Sequence, residues 1–81
     1  MSGTEEMRLT REARGRIEDT EKVVSRIDPG RLARAQQETL ATIEDFLAKA
    51  RAALTARDVQ RALTLADKAL ALAHDLSRSL R

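Results

Sequence analysis

The sequence predicts an all-α fold, in which a long antiparallel helical hairpin follows a third, N-terminal helix. Apolar residues recur at spacings of three and four through most of the 81 residues, which is the period of an amphipathic helix. No segment alternates apolar and polar residues over the length of a strand. The only proline, Pro29, and a polar segment at residues 55–58 divide the periodic sequence into three parts. We therefore expect a single helical domain over residues 1–81.

The first predicted helix covers about residues 4–27. Its apolar stripe is thin and heptad-like, with alternating spacings of four and three. Five residues form it: Ala13, Ile17, Thr20, Val24 and Ile27. Glu12 and Arg16 are four positions apart, so we expect an ion pair between them along the helix.

The second predicted helix covers about residues 29–56. Pro29 cannot continue the first helix without losing a backbone hydrogen bond, and Asp28 followed by Pro29 suits the start of a new one. The apolar stripe repeats the same spacing at Ala33, Gln36, Leu40, Ile43, Leu47, Ala50 and Leu54. Phe46 and Ala53 widen this face. Such a helix is about 40 Å long, so it needs another long helix beside it.

The third predicted helix covers about residues 58–80, with Asp58 as its N-cap. At 100° per residue, a central seam contains only alanines: Ala62, Ala66, Ala69 and Ala73. Leucines flank the seam on both sides, at Leu63 and Leu70 and at Leu65, Leu72 and Leu76. The apolar face then covers about half of the circumference, more than the roughly 100° that one neighbour requires. We expect the third helix to pack against the second as a hairpin, and against either the first helix or a second copy of the chain. The alternatives are a three-helix bundle and an intertwined helical dimer.

The leucines of the third helix predict self-association. Strong apolar cover from the first helix spans only about 20 Å, whereas the other two helices are about 35 to 40 Å long. We therefore expect a single-chain bundle to leave some of Leu65, Leu72, Leu76 and Leu80 in water. Exposed apolar patches of that kind mark interfaces. The candidate interface consists of Leu65, Leu72, Leu76, Leu80, Ile17 and Val24. The expected partner is a second copy in a two-fold dimer, and the competing partner is a different helical protein.

The second break resembles a known repeat. Residues 56–63, ARDVQRAL, with Ala66 and then KAL at residues 68–70, are similar to the turn and second helix of a tetratricopeptide repeat. That repeat has Gly, Tyr and an aromatic residue where this sequence has Arg57, Val59 and Ala66. The likeness covers about 35 of the 81 residues, close to the length of one repeat.

Residues 57–73 also resemble the Ala-rich helical hairpins of bacterial envelope proteins and lipoproteins, in which a seam of small residues recurs. Both resemblances imply a non-catalytic role in protein–protein interaction or scaffolding. The second also implies a bacterial cell-envelope or periplasmic location.

Composition and motifs disfavour catalysis. The chain has no cysteine, which excludes disulfides and thiolate metal sites. His74 is the only histidine and has no second metal ligand at i,i+4 spacing. Glu44 and Asp45 point about 100° apart on a helix, and Asp45 has Lys49 as a helical ion-pair partner. Phosphate-binding glycine loops and cofactor fingerprints are missing. We therefore expect no enzymatic activity, cofactor, metal or small-molecule substrate.

The arginines make nucleic-acid binding or a regulatory role the alternative function. The net charge is +2, from 15 basic and 13 acidic residues, and the two signs interleave. Arg8, Arg11, Arg14 and Arg16 lie close together, but acids share their helix and no base-stacking aromatic accompanies them. Nucleic acid is therefore the disfavoured partner. No membrane span is expected either, because no stretch approaches the roughly 20 apolar residues that one requires.

Overall fold

The computed structural model describes all 81 residues. It contains three α-helices and no strand: α1 is Gly3–Ser25, α2 is Arg34–Thr55 and α3 is Val59–Ser79. One 3₁₀ turn, Pro29–Arg31, lies between α1 and α2. The prediction of an all-α fold with a helical hairpin and an N-terminal helix is confirmed.

The helix α3 is the central element of the bundle. It packs against α2 and against α1, whereas α1 and α2 touch each other at few points. The short turn makes α2 antiparallel to α3, and Gln36 on α2 donates a hydrogen bond to Ser79 on α3 at 3.3 Å. Across the whole molecule the extents are 45 × 18 × 14 Å. The chain is therefore an elongated bundle in which α1 and α2 lie on two sides of α3.

The helix break predicted at Asp28 and Pro29 is present, but α2 begins five residues later than predicted. Pro29 starts the 3₁₀ turn, where the side chain of Asp28 accepts a hydrogen bond from the Gly30 N–H at 2.9 Å. Leu32 then takes an extended conformation, with ψ at 135°, and its side chain is 6% exposed. Leu32 reaches the core with its backbone extended, and α2 begins only after it, at Arg34.

The turn between α2 and α3 is tight. Arg57 has φ at 59°, in the left-handed region, where a residue with a Cβ atom costs roughly 1 to 2 kcal/mol. The N–H of Asp58 then donates to the Ala53 carbonyl oxygen at 2.9 Å, which ends α2 in a Schellman-type arrangement. Asp58 also begins α3, because its side chain accepts from the Arg61 N–H at 3.4 Å.

The alanine seam predicted on α3 lies at the centre of the core. All four of its alanines are completely buried: Ala62, Ala66, Ala69 and Ala73. Leu40, Ile43 and Leu47 of α2 and Ile17 of α1 belong to the same core cluster as most of the seam. Because alanine side chains are short, α3 approaches its neighbours closely along this seam.

Helix α1 contributes the thinner part of the core. Its buried residues are Leu9, Ala13, Ile17 and Thr20. The hydroxyl of Thr20 is buried but donates to the Arg16 carbonyl oxygen at 2.7 Å, so it carries no unsatisfied hydrogen-bonding group. A narrow stripe with one polar member holds α1 against the hairpin.

Candidate interaction surface

The residues predicted as an interface do not lie together on one surface. Ile17, Leu65 and Leu76 belong to the core cluster of the single chain, and each is less than a tenth exposed. Leucines of α2 pack into the same cluster as Leu65 and Leu76. Leu32, in the connector between α1 and α2 (residues 26–33), adds further cover. Of the four leucines among which we expect some to remain in water, Leu65 and Leu76 are buried, Leu72 is half-buried and Leu80 is exposed.

The other three predicted residues are more accessible, but they are dispersed. Val24 is half-buried on α1, and Leu72 is half-buried on α3. Leu80 is 42% exposed and, with Ile27 and Leu32, lines a depression at one end of the bundle. Among the six predicted residues, the half-buried Leu72 and the largely buried Leu76 line the outer side of the α2–α3 hairpin.

That outer side carries two shallow depressions between α2 and α3. One has a volume of about 280 Å³ and lies near the open end of the hairpin. The other has a volume of about 290 Å³ and lies near the turn. We call both together the outer furrow. The first depression is lined by Ala35, Gln36, Thr39, Leu72, Asp75, Leu76 and Ser79, and the second by Lys49, Ala52, Ala53, Ala56, Asp58 and Arg61.

The outer furrow combines small and apolar side chains with charges of both signs, since Asp58 and Asp75 line it together with Lys49 and Arg61. Leu72, Arg61 and Lys68 fall within about 40° of one another on α3. Neither Arg61 nor Lys68 forms a salt bridge. Phe46 of α2, half-buried against the core, occupies the sequence position between the two depressions. This surface can accept an apolar side chain and attract a nearby carboxylate.

The furrow is not predicted from either helix alone. Phe46 and Ala53 lie at one edge of the α2 stripe, and Leu65 and Leu72 lie at one edge of the α3 stripe. Aligning these two edges across an antiparallel hairpin would have brought them to the same side. The signal was therefore present in the sequence, although the pairing of the edges is a tertiary property.

Three ion pairs join α1 to the hairpin: Glu6 with Arg57, Arg16 with Asp67, and Glu21 with Arg51. The carboxylate of Glu6 accepts two hydrogen bonds from the Arg57 guanidinium, at 2.8 and 2.9 Å. The other two pairs have N···O distances of 2.6 Å and 2.5 Å, respectively. In chain order, the three α1 residues of these pairs are an acid, a base and an acid. Their partners on the hairpin are, in the same order, a base, an acid and a base.

The ion pair predicted between Glu12 and Arg16 is not formed between their side chains. The guanidinium of Arg16 reaches Asp67 on α3, and the Glu12 carboxylate pairs with Arg8 at 3.1 Å. Spacing along one helix identifies only partners on that helix. The partner on α3 becomes available when the helices pack.

The pair between Glu6 and Arg57 shifts the pKa of both groups. Hydrogen bonds from Arg57 lower the pKa of Glu6 below its ordinary value of 4.5. The same bonds raise the pKa of Arg57. A carboxylate whose pKa is lower in the folded state contributes stability above its unfolded pKa, and this contribution is lost as the pH falls through the folded pKa.

We therefore expect Glu6→Gln to lower the melting temperature at neutral pH and to have a diminishing effect under acid conditions. The difference from the parent should begin to shrink near the unfolded pKa of Glu6 and vanish below its folded pKa. Melts followed by circular dichroism from about pH 7 to pH 3 measure this. Glu18→Gln is the matched control, because Glu18 lies on the same helix and forms no salt bridge. A pH-independent effect of Glu6→Gln would contradict the assignment.

The remaining polar residues singled out in the sequence are separate surface groups. His74 is exposed, and no group of three or more His, Cys, Asp or Glu side chains is placed to hold a metal ion. Asp45 forms the predicted ion pair with Lys49 at 2.8 Å, and Glu44 is exposed. None of the helices has both the length and the apolar character that crossing a membrane requires.

No protein-family model, curated protein or solved structure matches the chain. The likenesses to a tetratricopeptide repeat and to envelope hairpins therefore depend on their quoted residues alone. Because a fold does not by itself imply a function, the surface described above is the basis for a functional inference.

Proposed function

We propose that this chain is a non-catalytic helical module that binds another protein, with the outer furrow as its contact surface. The furrow itself is the observation that carries the proposal. Its half-buried Leu72 lies among small side chains, and a groove between two packed helices suits the apolar face of an amphipathic helix. Arg61 lines the furrow, Lys68 lies beside it on α3, and neither forms a salt bridge, so a partner with an acidic residue placed to reach them would gain an ion pair.

A photo-crosslinking amino acid in place of Leu72 tests this proposal in cells that express the chain. We expect covalent adducts with a protein from position 72 and none from position 74, because His74 is exposed on another side of α3. Lys68→Glu should reduce the yield from position 72 several-fold by reversing a charge beside the furrow. Lys22→Glu, which changes an exposed lysine on α1, is the matched control and should leave the yield unchanged. Equal labelling from positions 72 and 74, or none from either, would contradict the proposal.

The alternative, nucleic-acid binding, has weaker support. Within the arginine cluster of α1, Arg8 pairs with Glu12 and Arg16 pairs with Asp67, so half of that cluster is already neutralised. Fluorescence anisotropy with a labelled duplex at low salt measures this alternative directly. Binding that falls steeply as salt rises would favour the alternative, because each neutralised phosphate releases counterions.

The likeness to Ala-rich hairpins supplies the cellular setting of the proposal, a bacterial cell-envelope assembly. Fractionation of cells that express a tagged chain should recover it with the envelope. Recovery in the cytosolic fraction alone would contradict this setting, and the furrow would remain testable by crosslinking.

A further inference from the structure

We propose that α1 exchanges between two copies of the chain, which gives an intertwined dimer with the same helix contacts as the single-chain bundle. The partner is therefore a second copy, and the site is the face of the α2–α3 hairpin that α1 covers. The outer furrow lies on another side of the hairpin, so this inference is independent of the binding partner proposed above.

The first observation is that α1 is separable from the hairpin. It packs mainly against α3 and meets α2, the helix to which it is connected, at few points. The hairpin has a tight turn and its own contacts between leucines of α2 and the alanine seam of α3. Moving α1 to a second hairpin breaks only contacts that the second hairpin restores, which is the condition for domain swapping.

The second observation is the specificity of the site that α1 occupies. Its three ion pairs require acid, base and acid at positions 6, 16 and 21 of the incoming helix. The site also requires a small residue at position 13, because Ala13 packs with Ala53 and Ala62 in a compact alanine cluster. The α1 helix of a second copy meets all these requirements because its sequence is the same.

The third observation concerns the connector, residues 26–33. Its backbone hydrogen bonds within the turn are local, from Arg31 N–H to the Asp28 carbonyl and from Leu32 N–H to the Pro29 carbonyl. Leu32 stays in the core, which leaves residues 26–31 to extend. Six extended residues span at most about 20 to 22 Å, which exceeds the 18 × 14 Å cross-section of the bundle. The connector can therefore carry α1 to a hairpin that lies alongside. Because both forms share their helix contacts, the balance between them depends on the connector and on protein concentration.

Disulfide trapping tests the exchange in a chain that has no native cysteine. Ala13 and Ala62 are both fully buried and lie in one cluster, so Ala13→Cys with Ala62→Cys reports which α1 lies on which hairpin. After mild oxidation, the single-chain bundle forms a disulfide within one chain, and the product keeps the chain mass of 9.0 kDa. The exchanged form gives a covalent species of twice that mass.

We expect the fraction of covalent dimer to increase with the protein concentration before oxidation. The variants with only one of the two cysteines are the controls and should remain 9.0 kDa, because a buried thiol cannot reach its equivalent on another chain.

Charge reversal gives a second test that does not depend on cysteine. One variant reverses the charges of α1: Glu6→Arg, Arg16→Glu and Glu21→Arg. The other reverses the charges of the hairpin: Arg57→Glu, Asp67→Arg and Arg51→Glu. Each variant alone places like charges opposite one another, whereas an exchanged heterodimer pairs every α1 with a complementary hairpin.

We expect each variant alone to melt below the parent, and the mixture to form a one-to-one complex of twice the 9.0 kDa chain mass that melts above both. A single chain with all six substitutions is the control and should recover the bundle without a partner. Two results would overturn the exchange: disulfides only within single chains at every concentration up to about 1 mM, or a mixture that behaves as the sum of its two components.

Discussion

Replacing Ala69 by Leu is expected to lower the free energy of unfolding by about 1 to 3 kcal/mol. Ala69 has no exposed surface and lies in the seam where α3 packs closely against its neighbours. A leucine side chain at this position must displace a neighbouring helix or adopt a strained rotamer. For a domain of this size, each kcal/mol lowers the melting temperature by about 4 to 8 °C. Thermal denaturation followed by circular dichroism measures the change.

The matched control is Ala71→Leu, which makes the same substitution two residues away on an exposed position of α3. We expect its effect to remain within about 0.5 kcal/mol, as for most surface substitutions. If the melting temperature of Ala69→Leu also equalled that of the parent, the seam would not be a packing surface. The position of α3 between α1 and α2 would then be wrong.

Replacing Ile43 by Ala should have the largest effect of any single truncation, about 2 to 5 kcal/mol. Ile43 is the largest completely buried side chain that is apolar. It belongs to the main cluster with Leu40, Leu47 and the alanine seam, so its removal leaves a cavity that the packed helices cannot fill. Because a core of this size supplies only about 3 to 5 kcal/mol of net stability, we expect the variant to be partly unfolded at room temperature.

Urea denaturation of Ile43→Ala and Ile43→Val provides a graded test. The valine variant removes one methylene group and should cost about 0.5 to 1.5 kcal/mol. Met7→Ala is the control, because Met7 is 65% exposed and its truncation opens no cavity. Equal denaturation midpoints for the two Ile43 variants would contradict the burial of Ile43.

Several features of the fold could be predicted because their causes are local in the chain. Pro29 excludes a continuous helix by its own geometry, and Asp58 caps α3 through the nearby N–H of Arg61. The alanine seam follows from the 100° step between residues, and all its members are buried as predicted.

Other features depend on groups far apart in the sequence. Glu6 and Arg57 are separated by 51 positions, and Glu21 and Arg51 by 30. No spacing rule relates such residues until α1 has packed against the hairpin. The same holds for the candidate surface. The apolar edges of α2 and α3 can each be predicted from the sequence, but their meeting in the outer furrow depends on how the two helices pack.

The sequence by itself determined the number of helices, the two breaks and the buried seam of α3, because periodicity and backbone constraints act within a few residues. The tertiary structure alone decided how the leucines are covered and where α2 begins. Leu65 and Leu76 are buried because the helices and the connector enclose them in one core, and α2 starts at Arg34 because Leu32 enters that core through extended backbone. Burial is set by the sum of all neighbours, which a helix considered alone does not contain.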